Sequence, residues 1–282
     1  MVVNRGFACA RAIRRASLRS CFVLFVSSCI SDRGGSRRNS DWENPILRPD
    51  VASLRECALR YWTARRDRDW RTAYGFQPDA VREKATLGEF IEWSNEREPF
   101  QVQSFTIGVV EGEGRRGWVR IDYTTTLTRF PQAEPRTTQT WQKWLFGESG
   151  WLPTPPEEID FHPDAPAHRD AAMEGPLRRR VRAMCEARLR GDGFALYRLT
   201  DPGDHQTVSR DEFLKAESRI EYFSCDVDWV EAIGDRGRAR VIYIYRVADP
   251  SLTKLPKESK AVIEPWTLVD GEWFRDLDRP IH

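Results

Sequence analysis

The apolar positions of the chain first fall at helical spacing. Leu54, Ala58, Tyr61 and Trp62 stand at i, i+4, i+7 and i+8, which puts them on one helix face. Leu177, Val181, Met184 and Cys185 repeat that spacing further on. Each predicted helix runs into a charged stretch, ARRDRDWRTAY (64–74) and ARLRGDGFALY (187–197). There Asp69 or Asp192 stands as the N-cap acceptor of a second helix. Shorter helical segments are predicted over 87–95 and 210–219. The period then falls to 2, the spacing of strands, at 101–111, 118–129, 138–146 and around Trp151. It does so again at 222–233, 239–247, 260–269 and 272–277, with the Gly-containing turns EGEGRRG, GDRGR, GESG and DGE between neighbours.

The two series are one series written twice. Ala, Arg, Asp and Tyr recur between the two charged stretches at an offset of 123 residues. Leu54 and Leu177, Glu89-Phe90 and Glu212-Phe213, and Phe100 and Phe223 share it, while Trp144/Trp266 and Trp151/Trp273 are offset by 122. A shared offset with one register shift is the signature of a repeated domain, with a one-residue difference in a loop. Helices followed by an antiparallel meander give an α+β domain. The predicted layout is a signal at 1–28, a tether at 29–50, domains at 51–152 and 177–282, and a linker at 153–176 that holds six of the 17 prolines.

Strand faces add detail. In 118–129, Val119, Ile121, Tyr123 and Leu127 share one face and Arg120, Asp122, Thr124 and Thr126 the other, the pattern of a half-buried strand. In 239–247, Val241, Tyr243 and Tyr245 oppose Ile242 and Ile244, so both faces are apolar and both should be covered. The other repeat, or a second copy of the chain, would supply that cover.

The order of elements resembles the NTF2-like superfamily, which includes ketosteroid isomerase and the polyketide-cyclase-like group. Arg190-Gly191-Asp192 followed by Phe194, Leu196 and Tyr197, the Trp-bearing third strands and the final Asp270-Gly271-Glu272-Trp273 hairpin carry the resemblance. The first repeat departs from it with Arg68-Asp69-Trp70 and Ser149-Gly150-Trp151. The resemblance implies two cone-shaped domains, each with helices packed on a curved antiparallel sheet of about four strands. It also implies pairing through the sheets, as an internal pseudo-dimer or a homodimer, and a pocket at the open end of each cone.

Charge changes the picture at the N-terminus. Five arginines and no acidic residue precede Cys29; without them 39 basic residues face 43 acidic ones, a net charge of −4. That balance gives no footprint for nucleic acid. The Arg-rich start, the apolar run CFVLFV (21–26) and the small residues after it follow the layout of a secretory signal, and the apolar run is too short to span a bilayer. Val26-Ser27-Ser28-Cys29 resembles the lipobox of bacterial lipoproteins, which implies lipid on Cys29 and a chain anchored to the cell envelope, periplasmic or surface-facing. A plain secretory signal or an organellar transit peptide fits the same composition. Cys57, Cys185 and Cys225 would remain, an odd number. Cys185 and Cys225 could pair in an oxidising compartment, or serve as small apolar residues.

Candidate chemistry is sparse. An isomerase of the ketosteroid kind needs a carboxylate base and a hydroxyl donor in an apolar cavity. The pocket candidates are Tyr123 and Trp144 in the first domain and Tyr243, Tyr245, Glu264 and Trp266 in the second. Asp122, Asp226 and Asp228 have the outward parity, and only Glu264 shares parity with Trp266 and Leu268. Its preferred reading is nevertheless an edge carboxylate beside Pro265. His162 and His168 fall in the Pro-rich linker and should be solvated; no metal-binding spacing occurs, and no cofactor is expected. Gly112-x-Gly114 lies between two strands and reads as a hairpin, not a phosphate loop. The recurrence of Trp144/Trp266 and Trp151/Trp273 points to core packing before ligand stacking. The sequence thus predicts a non-enzymatic binding or interaction module for a small apolar ligand or a protein partner. Its rivals are an enzyme using the second cone and a purely structural envelope protein.

Overall fold

A computed structural model describes residues 50–247 and 256–277. The signal, Cys29 and the tether before residue 50 lie outside the described residues.

The helices form where the sequence supplies caps. Helix α1 (Val51–Asp67) starts on Asp50, whose carboxylate accepts from Ala52 N. The short α2 (Trp70–Gly75) starts on Asp69, which accepts from Thr72 N. After α3 (Asp79–Arg82), helix α4 (Leu87–Arg97) opens with a Thr86–Glu89 capping box. The second repeat uses the same devices. Helix α5 (Ala171–Arg190) is capped by Asp170, α6 (Gly193–Arg198) by Asp192, and α7 (Arg210–Glu217) by a Ser209–Glu212 box. Tyr74 Oη donates to Ala85 O and Tyr197 Oη to Val208 O, 123 residues apart in both donor and acceptor. Helix α5 begins inside the stretch read as linker and takes Pro176 into its second turn.

Four strands follow in each repeat: β1 (Phe100–Glu113), β2 (Arg116–Leu127), β3 (Arg136–Gly147) and β4 (Gly150–Pro153), then β5 (Ile220–Ile233), β6 (Arg236–Val247), β7 (Glu258–Val269) and β8 (Glu272–Arg275). Each set is an antiparallel meander in sequence order. The long first strands carry two bulges apiece, at Val102/Ser104 and Ile107/Val110 in β1 and at Tyr222/Ser224 and Val227/Trp229 in β5. Bulges bend a strand and increase its twist, which curls each sheet over its helices. The α+β class and the two curled four-stranded sheets are those expected.

The repeat register differs from the single shift expected. Helix α4 has 11 residues and α7 has 8, so β1 and β5 begin at an offset of 120. Phe100 therefore corresponds to Ile220, not to Phe223. A β6–β7 connection two residues longer than β2–β3 restores the offset of 122 at Trp144 and Trp266.

Each repeat has its own core. Leu54, Ala58, Trp62, Val119, Ile121, Trp144 and Trp151 fill the first, and Leu177, Val181, Met184, Val241, Trp266 and Trp273 the second. The helix reaches the sheet so closely that a Cβ on Gly117 would lie 2.4 Å from Leu54 Cδ2, and one on Gly237 2.8 Å from Leu177 Cδ2. Any larger residue at either place would displace that leucine in the core, so glycine suits both.

The first helices end differently. Gly191 closes α5 in the left-handed region at φ 66°, whereas Arg68 does so for α1 at φ 55°. A residue with a Cβ is strained there, so Arg68→Gly is expected to raise the unfolding free energy by about 0.5–1 kcal/mol, net of glycine's greater entropy when unfolded. Urea denaturation checks this; an unchanged or lower midpoint would contradict it.

The Pro-rich linker packs against both sheets. Its two 3-10 turns, Pro156–Phe161 and Pro166–His168, lie against their outward faces. Trp118 Nε1 donates to Pro163 O at 2.9 Å and Trp229 Nε1 to Phe161 O at 3.0 Å. Lys143 Nζ donates to His162 O, and Asp164 N donates to Glu231 Oε2 at 2.7 Å. Beside it the repeats touch directly through Asp228, which accepts from Arg116 of the first at 2.5 Å and from Arg240 of its own at 2.7 Å. Three expectations are corrected. Asp228 is half-buried in this cluster rather than turned to water, because guanidinium groups from both repeats converge on it. Trp118 is fully buried on the face read as solvated, because the linker covers it. Ile244 remains 38% exposed, because the linker reaches only the Trp229–Arg240 end of its face.

Candidate functional site

In the second cone the chain places one carboxylate in the core. Glu264 projects from the middle of β7, opposite Ala239 on β6, and is 1% exposed. Its Oε1 accepts from Arg188 Nη1 at 2.6 Å and from Tyr243 Oη at 2.9 Å, with Arg275 Nε 3.7 Å away. Arg188 also donates to Tyr243 Oη and lies over the Tyr243 and Tyr222 rings. Glu264 is therefore not an edge carboxylate beside Pro265. The β6–β7 register turns it inward, and two guanidinium groups compensate its burial. Burial alone would raise its pKa; the charge of Arg188, then that of Arg275, outweighs burial and holds it below the ordinary carboxylate value. Tyr243 goes the other way: burial, then the Glu264 charge, raises it well above the usual phenol value, so it stays a neutral donor.

The first cone answers the same position without a charge. Gln142, the counterpart of Glu264, accepts from Trp62 Nε1 at 2.8 Å. Arg65, the counterpart of Arg188, pairs with Glu98 at 2.7 Å, where both side chains are half-buried. Tyr123, the counterpart of Tyr243, packs against Trp62 with ring centroids 4.9 Å apart. One further exchange accompanies these. Trp62 and Phe105 touch in the first repeat, with centroids 6.1 Å apart; their counterparts Cys185 and Cys225 form a disulfide with a Cα separation of 5.4 Å.

The predicted pocket residues thus separate. Tyr243, Glu264 and Trp266 share the second core, whereas Tyr245 reaches the surface, where its hydroxyl donates to Glu258 Oε2 at 2.9 Å. Tyr123 and Trp144 belong to the first core, and Tyr61 and Phe76 meet the buried Trp144 ring edge-on. Sequence reasoning missed Arg188, although it stands seven residues after Val181 and four after Met184, on the apolar face of α5. An arginine on an apolar helix face was the available signal. The described residues contain no group of three or more His, Cys, Asp or Glu able to hold a metal ion, and no helix long and apolar enough to cross a membrane.

His162 is a further correction. It is 1% exposed rather than solvated, because the linker drives it under Trp118, whose ring it meets edge-on at 5.0 Å. Its ring nitrogens lie 3.1 Å from Pro163 O and Trp144 O. Burial first, then the charges of Lys143 and Arg116, prevails over the two carbonyls and lowers its pKa to about 4. His168 instead sits edge-on to Trp141 at 5.5 Å. Because the unfolded imidazole takes its proton near pH 6.5 and the folded one only near 4, stability is full above pH 6.5. It should fall by about 3 kcal/mol as the pH drops from 6.5 to 4. His162→Gln should flatten that part of the stability–pH curve, as measured by urea denaturation across the range. The same slope in the variant would rule His162 out as its source.

No protein-family model and no curated protein matches the sequence. Among solved structures, the chain is similar to a SEC-C motif containing protein from Rhodopseudomonas palustris, at 18% identity and a TM-score of 0.29 over 38% of this chain and 88% of that one. An NTF2-like protein involved in plasmid conjugation aligns at 10% identity and a TM-score of 0.24, over 62% of this chain and 75% of that one. The intermembrane space region of the chloroplast protein ARC6 aligns at 15% identity and a TM-score of 0.23, over 38% and 95%. None of the three carries a functional assignment to this chain.

Proposed function

We propose that the chain is a non-enzymatic binding or interaction module, exported and held at a membrane by lipid on Cys29. The observation that supports the non-enzymatic reading is the state of Glu264. A general base has a pKa near the working pH and reaches a substrate proton. The pKa of Glu264 is held below the ordinary carboxylate value, its Oε1 accepts from Arg188 and Tyr243, and core side chains surround it. With Trp144 and Trp266 filling the cones, recognition falls to the outer surfaces. Export is supported by the Arg-rich, acid-free start of the chain and by the Cys185–Cys225 disulfide, since such bonds persist in oxidising compartments.

The anchor is tested by Cys29→Ala with membrane fractionation. The expected result is transfer of the protein from the membrane to the soluble fraction; unchanged partition would overturn the lipid anchor. The module reading is tested by crosslinking in intact cells followed by native mass spectrometry. A co-purifying protein or small molecule is expected. A chain that emerges alone would leave a purely structural envelope role as the better account.

The enzyme reading keeps one observation, the convergence of Tyr243 on Glu264. It requires that Glu264→Gln abolish turnover of a substrate. We expect instead that Arg188→Met/Glu264→Leu, which leaves no member of the buried pair uncompensated, retains partner capture.

A further inference from the structure

Away from the cone interiors, α5, α6 and β8 enclose a surface groove of about 590 Å³. Ala183, Ala195, Leu199 and Phe274 form an apolar floor, and Arg180, Arg190 and Arg198 line it together with Glu186, Glu272 and His205. The first repeat has a smaller concavity in the corresponding place, about 360 Å³, whose rim carries Asp67 and Asp69. The helix offset of 123 makes the comparison residue by residue. In the first repeat the Arg60 guanidinium lies over the Phe76 ring, 5.8 Å from its centroid, and closes the floor. Ala183 and Leu199 hold those positions in the second repeat, so among the described residues no guanidinium covers Leu199, and the covering arginine there, Arg180, lies over Phe274 instead. Arg190 stands where the first repeat has Asp67, and Arg198 where it has Gly75. Shared architecture explains the location of both grooves but not the gain of room, nor the exchange of Asp67 for Arg190 and of Gly75 for Arg198, while Asp69 is kept as Asp192.

The rim cations are not equally engaged. Arg180 is fixed as a wall: its Nε donates to Trp273 O at 2.9 Å, its Nη2 to Glu272 Oε2 at 3.3 Å, and it lies over Phe274. Arg190 faces Glu186 at 3.8 Å with both side chains largely exposed, a pair that contributes little. Arg198 is exposed and makes no hydrogen bond or ion pair among the described residues. His205 turns its Nε2 inward to Thr200 Oγ1 and Tyr197 O. Favourable interaction with the helix C-termini accounts for a cation at Arg190 and Arg198. It does not account for the apolar floor left open between them.

We propose that this groove binds a soluble amphipathic anion, its carboxylate or phosphate head between Arg190 and Arg198 and its aliphatic or aromatic body on the Ala183–Ala195–Leu199 floor, with Arg180 over Phe274 as its wall. The proposal gives the module reading a ligand class, and it stands independently of the anchor and of the cones. An apolar body and a charged head suit a site of this kind because burial of the body supplies affinity while the guanidinium groups fix orientation.

The test is calorimetric titration of the full chain with monomeric dodecanoate and dodecyl phosphate, each below its micelle concentration. Saturable one-to-one binding of at least one is expected. Arg198→Glu should weaken it by about tenfold or more, as should Ala183→Arg, which restores the arginine found in the first repeat. Arg60→Ala, in the other repeat, should leave it unchanged. Arg198 is exposed, so its variant remains informative even if Ala183→Arg fails to fold. Absence of binding, or binding indifferent to Arg198→Glu, would overturn the groove as a site while leaving the interaction reading to other surfaces. Binding to vesicles containing an anionic phospholipid, but not to either monomer, would assign the arginines to a membrane surface and also overturn the proposal.

Discussion

Glu264→Ala is expected to lower the unfolding free energy by about 3–5 kcal/mol, as much as removal of a large core side chain. The lost contact is only part of this. Arg188 is 5% exposed, and without Glu264 no other carboxylate among the described residues lies within hydrogen-bond reach of it. A buried unpaired cation costs several kcal/mol, whereas deleting the whole pair costs little. The double variant Arg188→Met/Glu264→Leu should therefore recover most of the loss. In the first repeat Gln142→Ala, which removes only a neutral acceptor of the Trp62 indole, should cost about 1–2 kcal/mol. The sign with pH is fixed by the depressed pKa. The contribution of Glu264 is complete above the unfolded carboxylate value of 4.5 and disappears as the pH falls through the lower folded value. Equilibrium urea unfolding of the four proteins gives the comparison. A loss below 1 kcal/mol for Glu264→Ala, or a double variant less stable than Glu264→Ala, would mean that the cluster is not the compensated pair described.

What the chain discloses in its sequence is what periodicity and caps determine. The faces of α1 and α5, the acceptors Asp69 and Asp192, and the alternation in β2 and β6 follow from spacing alone, because each is local. The failures are all non-local. Glu264 reads as an edge residue beside Pro265 until a β6–β7 register puts Ala239 opposite it. His162 reads as solvated because proline-rich composition describes the backbone, not what Trp118 and Trp144 do above it. The pairing of Phe100 with Phe223 fails because two length differences, not one, separate the repeats: α7 is shorter than α4 by three residues and the β6–β7 connection is longer than β2–β3 by two. The groove beside α5 could have been suspected from the repeat alignment, since Arg60 against Ala183 and Asp67 against Arg190 are visible there. Only the fold shows that these positions share one surface.

The second large effect concerns the disulfide. Two equivalent positions join the long helix to the first strand of each sheet, and the repeats fill them by different chemistry. Trp62 and Phe105 do so by ring contact, Cys185 and Cys225 by a covalent bond whose cysteines are 40 residues apart. Closing a loop of that length restricts the unfolded chain by about 4 kcal/mol in the entropic account, and two cysteines bury far less area than a Trp–Phe pair to replace it. The Cys225→Ser variant, or treatment with reductant, is therefore expected to destabilise the second repeat by about 3–4 kcal/mol. The transition of the first repeat should not move. Thermal unfolding of the intact chain with and without reductant checks this, together with mass spectrometry of the non-reduced peptides that contain Cys185 and Cys225. If the two peptides separate without reductant, or if reductant leaves both transitions in place, the pair is not a staple and the argument from it for an oxidising compartment fails. If the second transition alone moves, that repeat depends on oxidation for its stability. A chain retained in a reducing compartment would then keep the first domain and lose much of the second, with the groove between α5, α6 and β8.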